Sequence, residues 1–339
     1  MNTNILHEAD LERIVGYLIE GELVVLPTET VYGLGVRCDD DNAVEEVFRV
    51  KGRPQDNPLI VHVSSVEMAR RYAGVDRTAE QLFRCFSPGP LTLVLPALDT
   101  VARKVRAGLD TVALRIPAHA LTRRIIEAAD VGLAAPSANR SGRPSPTSAA
   151  SAFEEMNGRV PAIVDGGQAK VGIESTVAVA GENGIQVLRP GRITEEQLYE
   201  CLGLEAPGAL PRICDDTAER GASVDNAPRS PGTKHRHYHP DLQVIAVGDP
   251  ADLRLRRIHE AGDGLLCVSS EIANTFLESG GRTELIRRAD GTEAYEHNLY
   301  EWFFWAERCK VERLFVELPA DSAGSRGLRD RIMRASDQS

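Results

Sequence analysis

Between residues 26 and 63 the chain reads LPTETVYGLGVRCDDDNAVEEVFRVKGRPQDNPLIVHV. Apolar runs at 23–26 and 59–63 predict two strands, and the amphipathic residues between them predict a helix. The glycines of Tyr32-Gly33-Leu34-Gly35 predict a turn at which the backbone approaches another group closely. Polar residues that a core does not need follow the first strand and precede the second: Thr28, Glu29, Thr30, Lys51, Arg53 and Asn57. This segment alone does not identify what those residues contact.

The composition is typical of a soluble globular protein with more than one domain. The 339 residues exceed the usual size of one domain, and 42% of them are hydrophobic and 26% charged. A formal net charge of −11 argues against an extended nucleic-acid-binding face, which would be basic. The first residues lack a signal-peptide pattern, and no apolar run approaches the roughly 20 residues that span a bilayer. We therefore expect a cytoplasmic protein that does not enter a membrane.

The six cysteines give no sign of a metal site. They stand at positions 38, 85, 201, 214, 267 and 309, without a C-x-x-C pair and without histidines at zinc-binding spacing. The motif SPGTKHRHYHP at 230–240 contains His235, His237 and His239, but no cysteine or carboxylate accompanies them at the usual spacing. We predict free thiols in a reducing compartment and no protein-held metal.

Two different patterns of predicted elements divide the chain. Many short strands with few helical crossovers predict a twisted mixed α/β sheet with helices over residues 1–204. Residues 205–241 are rich in Pro, Gly, Asp and Ala and lack apolar periodicity, which indicates a linker. Strands and helices alternate over residues 242–339, which predicts a small three-layer parallel-sheet domain.

Common nucleotide-binding and hydrolase motifs are absent from the sequence. It contains no G-x-x-x-x-G-K-[ST] and no G-x-G-x-x-G after a strand, so neither a P-loop nor a dinucleotide fold is indicated. Neither G-x-S-x-G nor H-E-x-x-H occurs. A candidate site must therefore be sought among polar residues at strand ends.

Several such groups have both a functional and an ordinary interpretation. Lys51 and Arg53 have the charge and spacing to contact phosphates, or they form a solvated basic turn. The loop 136–147 offers hydroxyl and amide groups for an anion, or it is an ordinary polar loop. Thr111 and Arg115 point to one face of a strand, where an arginine holds a carboxylate or makes a surface ion pair. Residues 174–176 and 189–191 form a further polar group without an assigned role.

The order of these groups is more specific than any one of them. PTETVYGLG, KGRP with NPLIVHV, SPGPLTLVL, ALRIP, APSANRSGRPSPT, and IESTV with LRPG follow one another over residues 8–200. In this order they resemble the YrdC/Sua5 family. SPGTKHRHYHP resembles the linker of the longer Sua5 branch, whose usual form is SPGMKYRHYAP. The tail matches the small Rossmann-like domain of that branch in length and pattern.

The resemblance implies an L-threonylcarbamoyladenylate synthase, a nucleotidyltransferase. Such an enzyme joins L-threonine, bicarbonate or CO2, and ATP, and releases pyrophosphate. Its product passes to a tRNA threonylcarbamoyl-transfer enzyme or complex that forms N6-threonylcarbamoyladenosine at position 37 of tRNA. Mg²⁺ would accompany ATP without assigned protein ligands, and stable tRNA binding is not expected.

The resemblance also implies roles for individual residues, with the linker closing over the cleft as a lid. Lys51 and Arg53 would be catalytic. The threonine pocket would be lined by Thr30, His62, Arg115, Ala135 and Ser175, and Arg115 would hold the carboxylate. ATP would contact Arg53, Asn57, Thr111, Ser137, Asn139, Ser145, Arg189, Lys234, His237 and Tyr238. Thr233, His235 and His239 depart from the usual linker motif, so the family's linker contacts do not all transfer.

Two alternative functions follow from the same resemblance. A related carbamoyl-transfer activity occurs in the YrdC-like part of hydrogenase-maturation proteins, but those proteins carry acylphosphatase and zinc-finger segments that are absent from this sequence. An RNA- or ribosome-binding module is the other alternative, because YrdC-type domains carry a concave basic surface. The acidic composition weakens this second alternative.

Overall fold

The computed structural model describes residues 2–181, 184–204, 238–255, 258 and 262–336. We refer to residues 2–204 as the N-terminal region and to residues 238–336 as the C-terminal region. Most of the predicted linker, including Lys234, His235 and His237, lies outside the described residues. The division at 204/205 and 241/242 therefore stays a prediction.

The N-terminal region contains a ten-stranded mixed sheet in the order β1-β8-β2-β3-β7-β4-β6-β5-β9-β10. The strands are β1 Asn4–Leu6, β2 Val24–Leu26, β3 Gly33–Arg37, β4 Ile60–His62, β5 Leu91–Pro96, β6 Thr111–Arg115, β7 Leu133–Ala134, β8 Ala162–Val164, β9 Thr176–Gly181 and β10 Gly184–Arg189. The helices are α1 Leu11–Ile19, α2 Asp41–Lys51, α3 Val66–Ala69, α4 Arg77–Phe86, α5 Ala120–Ala129, α6 Ala149–Met156 and α7 Glu195–Cys201, with a 3₁₀ turn at Glu8–Asp10.

The C-terminal region contains a four-stranded parallel sheet in the order β11-β14-β12-β13. Its strands are β11 Gln243–Val247, β12 Asp263–Cys267, β13 Ile286–Arg288 and β14 Arg313–Glu317. Its helices are α8 Pro250–Arg254, α9 Ser270–Glu278, α10 Thr292–Arg308 and α11 Arg326–Ala335, with 3₁₀ turns at Thr283–Leu285 and Ala323–Ser325. The predicted fold class, a mixed sheet with helices followed by a smaller three-layer domain, is confirmed.

Helix α2 shows how local sequence delivers a functional residue. The carboxylate of Asp40 accepts hydrogen bonds from the backbone N–H groups of Asn42 and Ala43, at 2.8 and 3.3 Å, and so caps the helix. Val44, Val47 and Phe48 are buried against the core. Gly52, with φ +62°, ends the helix in a left-handed conformation. Lys51 consequently stands on the last turn and faces inward.

The turn predicted at residues 32–35 is wrong. Gly33–Arg37 is strand β3, which pairs antiparallel with β2. The close approach expected from the glycines is present, but it is made to the neighbouring strand. A Cβ on Gly35 would lie 2.9 Å from Cδ1 of Leu26, too close for any residue larger than glycine without a shift. The glycine therefore serves packing within the sheet.

The two regions share a buried interface. Val31 and Ile173 of the N-terminal region belong to one hydrophobic cluster with Tyr300 and Leu328 of the C-terminal region. The backbone of α10 passes so close to Gly172 that a Cβ there would lie 2.3 Å from the carbonyl oxygen of Glu296. This contact fixes α10 against the loop that precedes β9.

Acidic side chains of α10 strengthen the same interface. Glu296 accepts a hydrogen bond from Arg192 at 2.8 Å, and Glu307 pairs with Arg143 at 2.5 Å. Between them, Glu301 accepts a hydrogen bond from the Ser151 hydroxyl at 2.7 Å. One helix of the C-terminal region is thus held at three points along the N-terminal region. Among the described residues, no helix is both long and apolar enough to cross a membrane.

The expectation of free thiols is wrong for two cysteines. Cys85 at the end of α4 and Cys201 at the end of α7 form a disulfide, with a Cα–Cα distance of 6.4 Å. The two helices pack together, and the side-chain amide of Gln81 also donates to the carbonyl of Cys201 at 2.6 Å. Their separation of 116 residues hides this neighbourhood from any local sequence pattern. Cys38, Cys267 and Cys309 are free.

We expect the disulfide to contribute measurably to stability. Replacing Cys85→Ser together with Cys201→Ser should lower the free energy of unfolding by about 2–4 kcal/mol, because the unfolded chain loses a cross-link that closes a long loop. Denaturant unfolding without reductant measures this change, and Cys309→Ser is the matched control at an exposed free cysteine. A peptide map of non-reduced protein that recovers Cys85 and Cys201 only as free thiols would contradict the assignment.

Candidate active site

One cleft in the N-terminal region gathers most of the residues predicted from the sequence. The space between the atoms that line the cleft is about 730 Å³, a figure that includes the part open to solvent. The predicted residues that line it are Thr30, Lys51, Arg53, His62, Arg115, Ala135, Ser137, Asn139, Ser175, Arg189 and Tyr238. Residues scattered over more than 200 positions therefore share one cavity.

Three predicted residues do not line this cleft. Asn57 and Ser145 are buried, and Thr111 stands at the far end of the strand that carries Arg115. Two further residues predicted for ATP, Lys234 and His237, lie outside the described part of the chain. Their roles stay predictions.

Strand register brings the first pair of site residues together. The parallel strands β4 and β6 place His62 opposite Arg115, and the antiparallel strand β5 places Thr92 on the other side of Arg115. Ser175, directly before β9, shares a hydrogen bond with the Thr92 hydroxyl at 2.8 Å. The sheet thus aligns His62, Arg115, Thr92 and Ser175 as neighbours.

Arg115 is held in place by a buried ion pair. Its Nη2 donates to Oε1 of Glu29 at 2.7 Å, its Nη1 to the Thr30 hydroxyl at 2.9 Å, and its Nε to the Gly89 carbonyl at 3.3 Å. Burial alone would raise the pKa of Glu29, but the charge and hydrogen bond of Arg115 lower it below the ordinary value. Three of the five guanidinium N–H groups are used within the described residues, so two remain for an anion in the cleft.

His62 is buried beside this pair with an unsatisfied nitrogen. Its Nδ1 has no hydrogen-bond partner among the described residues. Burial, together with the positive charge of Arg115, lowers the pKa of His62 to about 3. The imidazole is consequently neutral near pH 7. It can accept or donate a hydrogen bond to a ligand, but it is too weak a base to hold a proton there.

Lys51 and Arg53 form the cationic side of the cleft. The Lys51 ammonium donates to the Ser137 carbonyl at 2.5 Å and also to the Asn139 carbonyl. Arg53 donates to the carbonyls of Asn57 and Pro58, at 3.3 and 3.1 Å. Burial lowers the pKa of Lys51 well below its ordinary value and that of Arg53 to about 10. Two cations that burial disfavours create a strong preference for an anionic ligand.

Arg189 is a third cation that lines the cleft. Its Nε and Nη2 donate to the carbonyl of Ser175, at 3.2 and 3.0 Å, and Nη2 also donates to the Ser175 hydroxyl. The side chain is 5% exposed, and burial lowers its pKa. Arg189 therefore connects β10 to the segment at the start of β9 while facing the same cleft.

Glu174 is the site residue whose role the sequence did not reveal. It lines the cleft, and its Oε1 accepts a hydrogen bond from the Ser145 hydroxyl at 2.5 Å. Its Oε2 accepts from Tyr300 at 3.0 Å and from Nε of Arg331 at 2.7 Å. Burial would raise the pKa of Glu174, but the charges of Arg331 and Arg189 lower it to about 2. The motif Glu174-Ser175-Thr176 marks the position, but the partners lie 126 and 157 residues away.

The end of the predicted linker reaches this same place. Tyr238 is buried, lines the cleft, and stacks on Tyr300 with ring centroids 5.7 Å apart. Its φ of +68° is an unfavourable left-handed conformation, which surrounding contacts must hold. The backbone N–H of His239 donates to the carbonyl of Gly142 at 2.8 Å. Residues 238–239 thus lie against the loop 136–147.

A protein-held metal finds little support in these side chains. Among the described residues, no group of three or more His, Cys, Asp or Glu side chains could hold a metal ion. Glu174 is the carboxylate that lines the described part of the cleft, and its oxygens are taken by Ser145, Tyr300 and Arg331.

Fold and site together define an α/β protein with a cleft lined by the cationic side chains of Lys51, Arg53, Arg115 and Arg189. The family model described as telomere recombination, for Sua5, YciO and YrdC proteins, matches residues 16–191. The model described as the C-terminal domain of threonylcarbamoyl-AMP synthase matches residues 193–337. The chain belongs to the YrdC/Sua5 family, in the branch that carries the additional C-terminal domain.

Comparisons with individual relatives support the same family assignment. The chain is 39% identical to threonylcarbamoyl-AMP synthase of Pyrococcus abyssi, over 95% of this chain and 92% of that protein. It is 34% identical to the Bacillus subtilis protein of the same name, over 97% and 94% of the two chains. The crystal structure of P. abyssi Sua5 complexed with L-threonine superposes with a TM-score of 0.85 at 36% identity, covering 98% of each chain.

The low pKa of His62 predicts a pH-dependent stability. A histidine in the unfolded chain titrates near pH 6.5, so between about pH 3 and 6.5 the unfolded state binds one more proton than the folded state. The free energy of unfolding should fall as the pH decreases through this range, by up to about 1.4 kcal/mol per pH unit from this group. Urea unfolding from pH 7 to pH 5 should give a shallower slope for His62→Gln. The exposed-site control His7→Gln should keep the wild-type slope; equal slopes for all three would contradict the prediction.

Proposed function

We propose that this chain is an L-threonylcarbamoyladenylate synthase that acts in the cleft described above. It would use L-threonine, bicarbonate or CO2, and ATP, and release pyrophosphate. The observation that carries this proposal is the placement of buried Arg115 and neutral His62 beside Lys51, Arg53 and Arg189. The first pair suits an amino acid, and the three cations suit a triphosphate. Relatives that align over nearly the full length carry the name of this activity.

The chemistry fits a site that works by position and charge. The threonine amine loses a proton and forms a C–N bond with CO2, which gives a carbamate. A carbamate oxygen then bonds to the α-phosphorus of ATP, the bond from that phosphorus to the bridging oxygen breaks, and pyrophosphate leaves. Lys51, Arg53 and Arg189 would neutralise the charge that develops on the phosphates, and the cleft would hold both reactants in line. No residue is assigned as general base, since the His62 imidazole is too weakly basic.

Roles for individual residues follow the same division. The two remaining N–H groups of Arg115 would hold the threonine carboxylate, and Thr30, His62, Ala135 and Ser175 would surround the rest of the amino acid. ATP would lie against residues on the cationic side, with further contacts from the linker: Arg53, Asn57, Thr111, Ser137, Asn139, Ser145, Arg189, Lys234, His237 and Tyr238. Ser145 would affect ATP binding through Glu174, because its hydroxyl donates a hydrogen bond to that carboxylate.

Cofactor, partners and location are part of the proposal. Mg²⁺ would be held by the phosphates of ATP, where it would reduce their charge. The product would pass to a tRNA threonylcarbamoyl-transfer enzyme or complex for modification at position 37, without stable tRNA binding by this acidic chain. The proposed location is the cytoplasm. The Cys85–Cys201 disulfide is unusual there, so peptide mapping of protein taken from thiol-blocked cells tests this point.

A pyrophosphate-release assay tests the proposed activity directly. Wild-type protein should release pyrophosphate from ATP only when both L-threonine and bicarbonate are present, because the attacking oxygen belongs to threonine carbamate. Omission of either substrate is the control. Pyrophosphate release that does not depend on threonine would contradict the proposal. A salt-dependent affinity for RNA without this activity would favour the RNA-binding alternative.

The buried pair Glu29–Arg115 predicts a selective effect on threonine. In the wild type, the two carboxylate oxygens of Glu29 accept hydrogen bonds from Arg115 and from the backbone N–H of Ala118. Glu29→Gln replaces one of these oxygens with an NH2 group, which cannot accept a hydrogen bond from either donor. Arg115 should lose its fixed orientation, and the KM for L-threonine should rise by about 10-fold or more, as for a lost charged hydrogen bond. The KM for ATP should change little.

Steady-state kinetics with each substrate varied in turn measures this effect. Glu22→Gln is the matched control, since it removes an exposed carboxylate just before β2. An unchanged KM for threonine in Glu29→Gln would contradict the prediction, because it would show that threonine binding does not depend on the Glu29–Arg115 pair.

A further inference from the structure

Arg331 lies where three cleft-forming segments meet, although it belongs to the C-terminal region. Its side chain on α11 is 0% exposed. Nε donates to Glu174 at 2.7 Å, and Nη1 donates to the carbonyl of Pro190 at 3.1 Å. The guanidinium carbon lies 5.3 Å from the ring centroid of Tyr238. Each contacted segment carries a residue that lines the cleft, namely Glu174, Arg189 and Tyr238.

The charge of Glu174 makes this contact consequential for a bound anion. Glu174 is the one carboxylate among the described residues that line the cleft, and it shares the cavity with Lys51, Arg53 and Arg189. An unpaired carboxylate there would repel a phosphate and compete for the same cations. Arg331 does not itself line the cleft, and it neutralises the charge of Glu174 from the interior of the protein. Its second acidic contact, Asp330 at 2.6 Å, is also paired with Arg334 at 2.8 Å.

The contacts of Arg331 fall on one side of the cleft. Ser145, which donates to Glu174, is assigned to ATP by the family resemblance, as are Arg189 and Tyr238. Of the residues assigned to threonine, Ser175 follows Glu174 directly, but Arg115 is held by Glu29 and Thr30, away from the contacts of Arg331. Substitution of Arg331 should therefore weaken ATP binding more than threonine binding.

We propose that Arg331 is a positioning residue through which the C-terminal region keeps the ATP side of the cleft formed and cationic. It does so by neutralising Glu174 and by holding the Pro190 turn and Tyr238 in place. This inference rests on the proposed function of the cleft. It adds a role for the C-terminal region, which would support the ATP side of the cleft more than the threonine side.

Kinetics of three variants of the full chain test the proposal. Arg331→Met should raise the KM for ATP by about 10-fold or more, since it leaves a buried charge unpaired beside the phosphates. The KM for L-threonine should rise several-fold less than that for ATP, because the proposed carboxylate site at Arg115 makes no contact with Arg331. Adding Glu174→Gln to Arg331→Met should recover most of the affinity for ATP, because it removes the repelling charge. Arg326→Met is the matched control: it lies on the same helix and pairs with Glu196 across the interface, at an exposed site.

The outcomes separate positioning from mere stabilisation. A structural role alone would lower the melting temperature and the active fraction of Arg331→Met without changing either KM. Equal KM values for ATP in Arg331→Met and Arg326→Met, an equal rise for both substrates, or no recovery in the double variant would each overturn the proposal. If Arg331→Met does not fold, Tyr300→Phe takes its place. It removes one hydrogen bond to Glu174 but keeps the ring against Tyr238, and it should raise the KM for ATP about threefold.

The activity of the wild-type protein distinguishes failure of the proposed function from failure of the inference about Arg331. If wild-type protein releases no pyrophosphate from ATP, L-threonine and bicarbonate, the proposed function fails. ATP binding by calorimetry then still decides the role of Arg331, because weaker ATP binding by Arg331→Met than by Arg326→Met supports it and equal binding overturns it. If the wild type is active and the KM pattern above is not seen, only the inference about Arg331 fails.

Discussion

A buried carboxylate at the junction of the two regions, Glu174, is the point on which the arrangement of the cleft depends. It accepts hydrogen bonds from Ser145 in the N-terminal region and from Tyr300 and Arg331 in the C-terminal region. A buried ion pair is in itself weak evidence of stability, because desolvation offsets much of the attraction between the charges. Its consequence here is geometric, since the pair fixes where the start of β9, the Pro190 turn and Tyr238 meet.

The cleft combines this fixed wall with cations that burial disfavours. Lys51, Arg53 and Arg189 all have lowered pKa values, and burial is the leading cause in each case. Such a site gains most from a ligand that brings several negative charges, as a triphosphate does. Arg115 differs, because Glu29 already balances its charge and leaves two N–H groups for a smaller anion. This difference between the two groups of cations supports the proposed binding of ATP beside an amino acid.

The sequence predicted the fold class and most site residues because each block pairs a strand with polar residues at its end. The strand predicted to carry Thr111 and Arg115 is observed as Thr111–Arg115, and Arg115 lines the cleft. The prediction failed where contacts between residues far apart in the sequence determine the structure. Gly33–Arg37 is a strand that pairs antiparallel with β2, and the edge strand Asn4–Leu6 pairs with β8. Helix Ala149–Met156, rich in small residues, has too weak a period to be recognised. Glu174 and the disulfide depend on partners more than 110 residues away.

The most direct measurement is a crystal structure of this chain with L-threonine and a non-hydrolysable ATP analogue bound together. We expect both ligands in the one cleft, with the threonine carboxylate within about 3 Å of the Arg115 guanidinium. The α-phosphate should lie among Lys51, Arg53 and Arg189, next to the threonine nitrogen. Binding of the analogue outside the cleft, or mutual exclusion of the two ligands, would contradict the account.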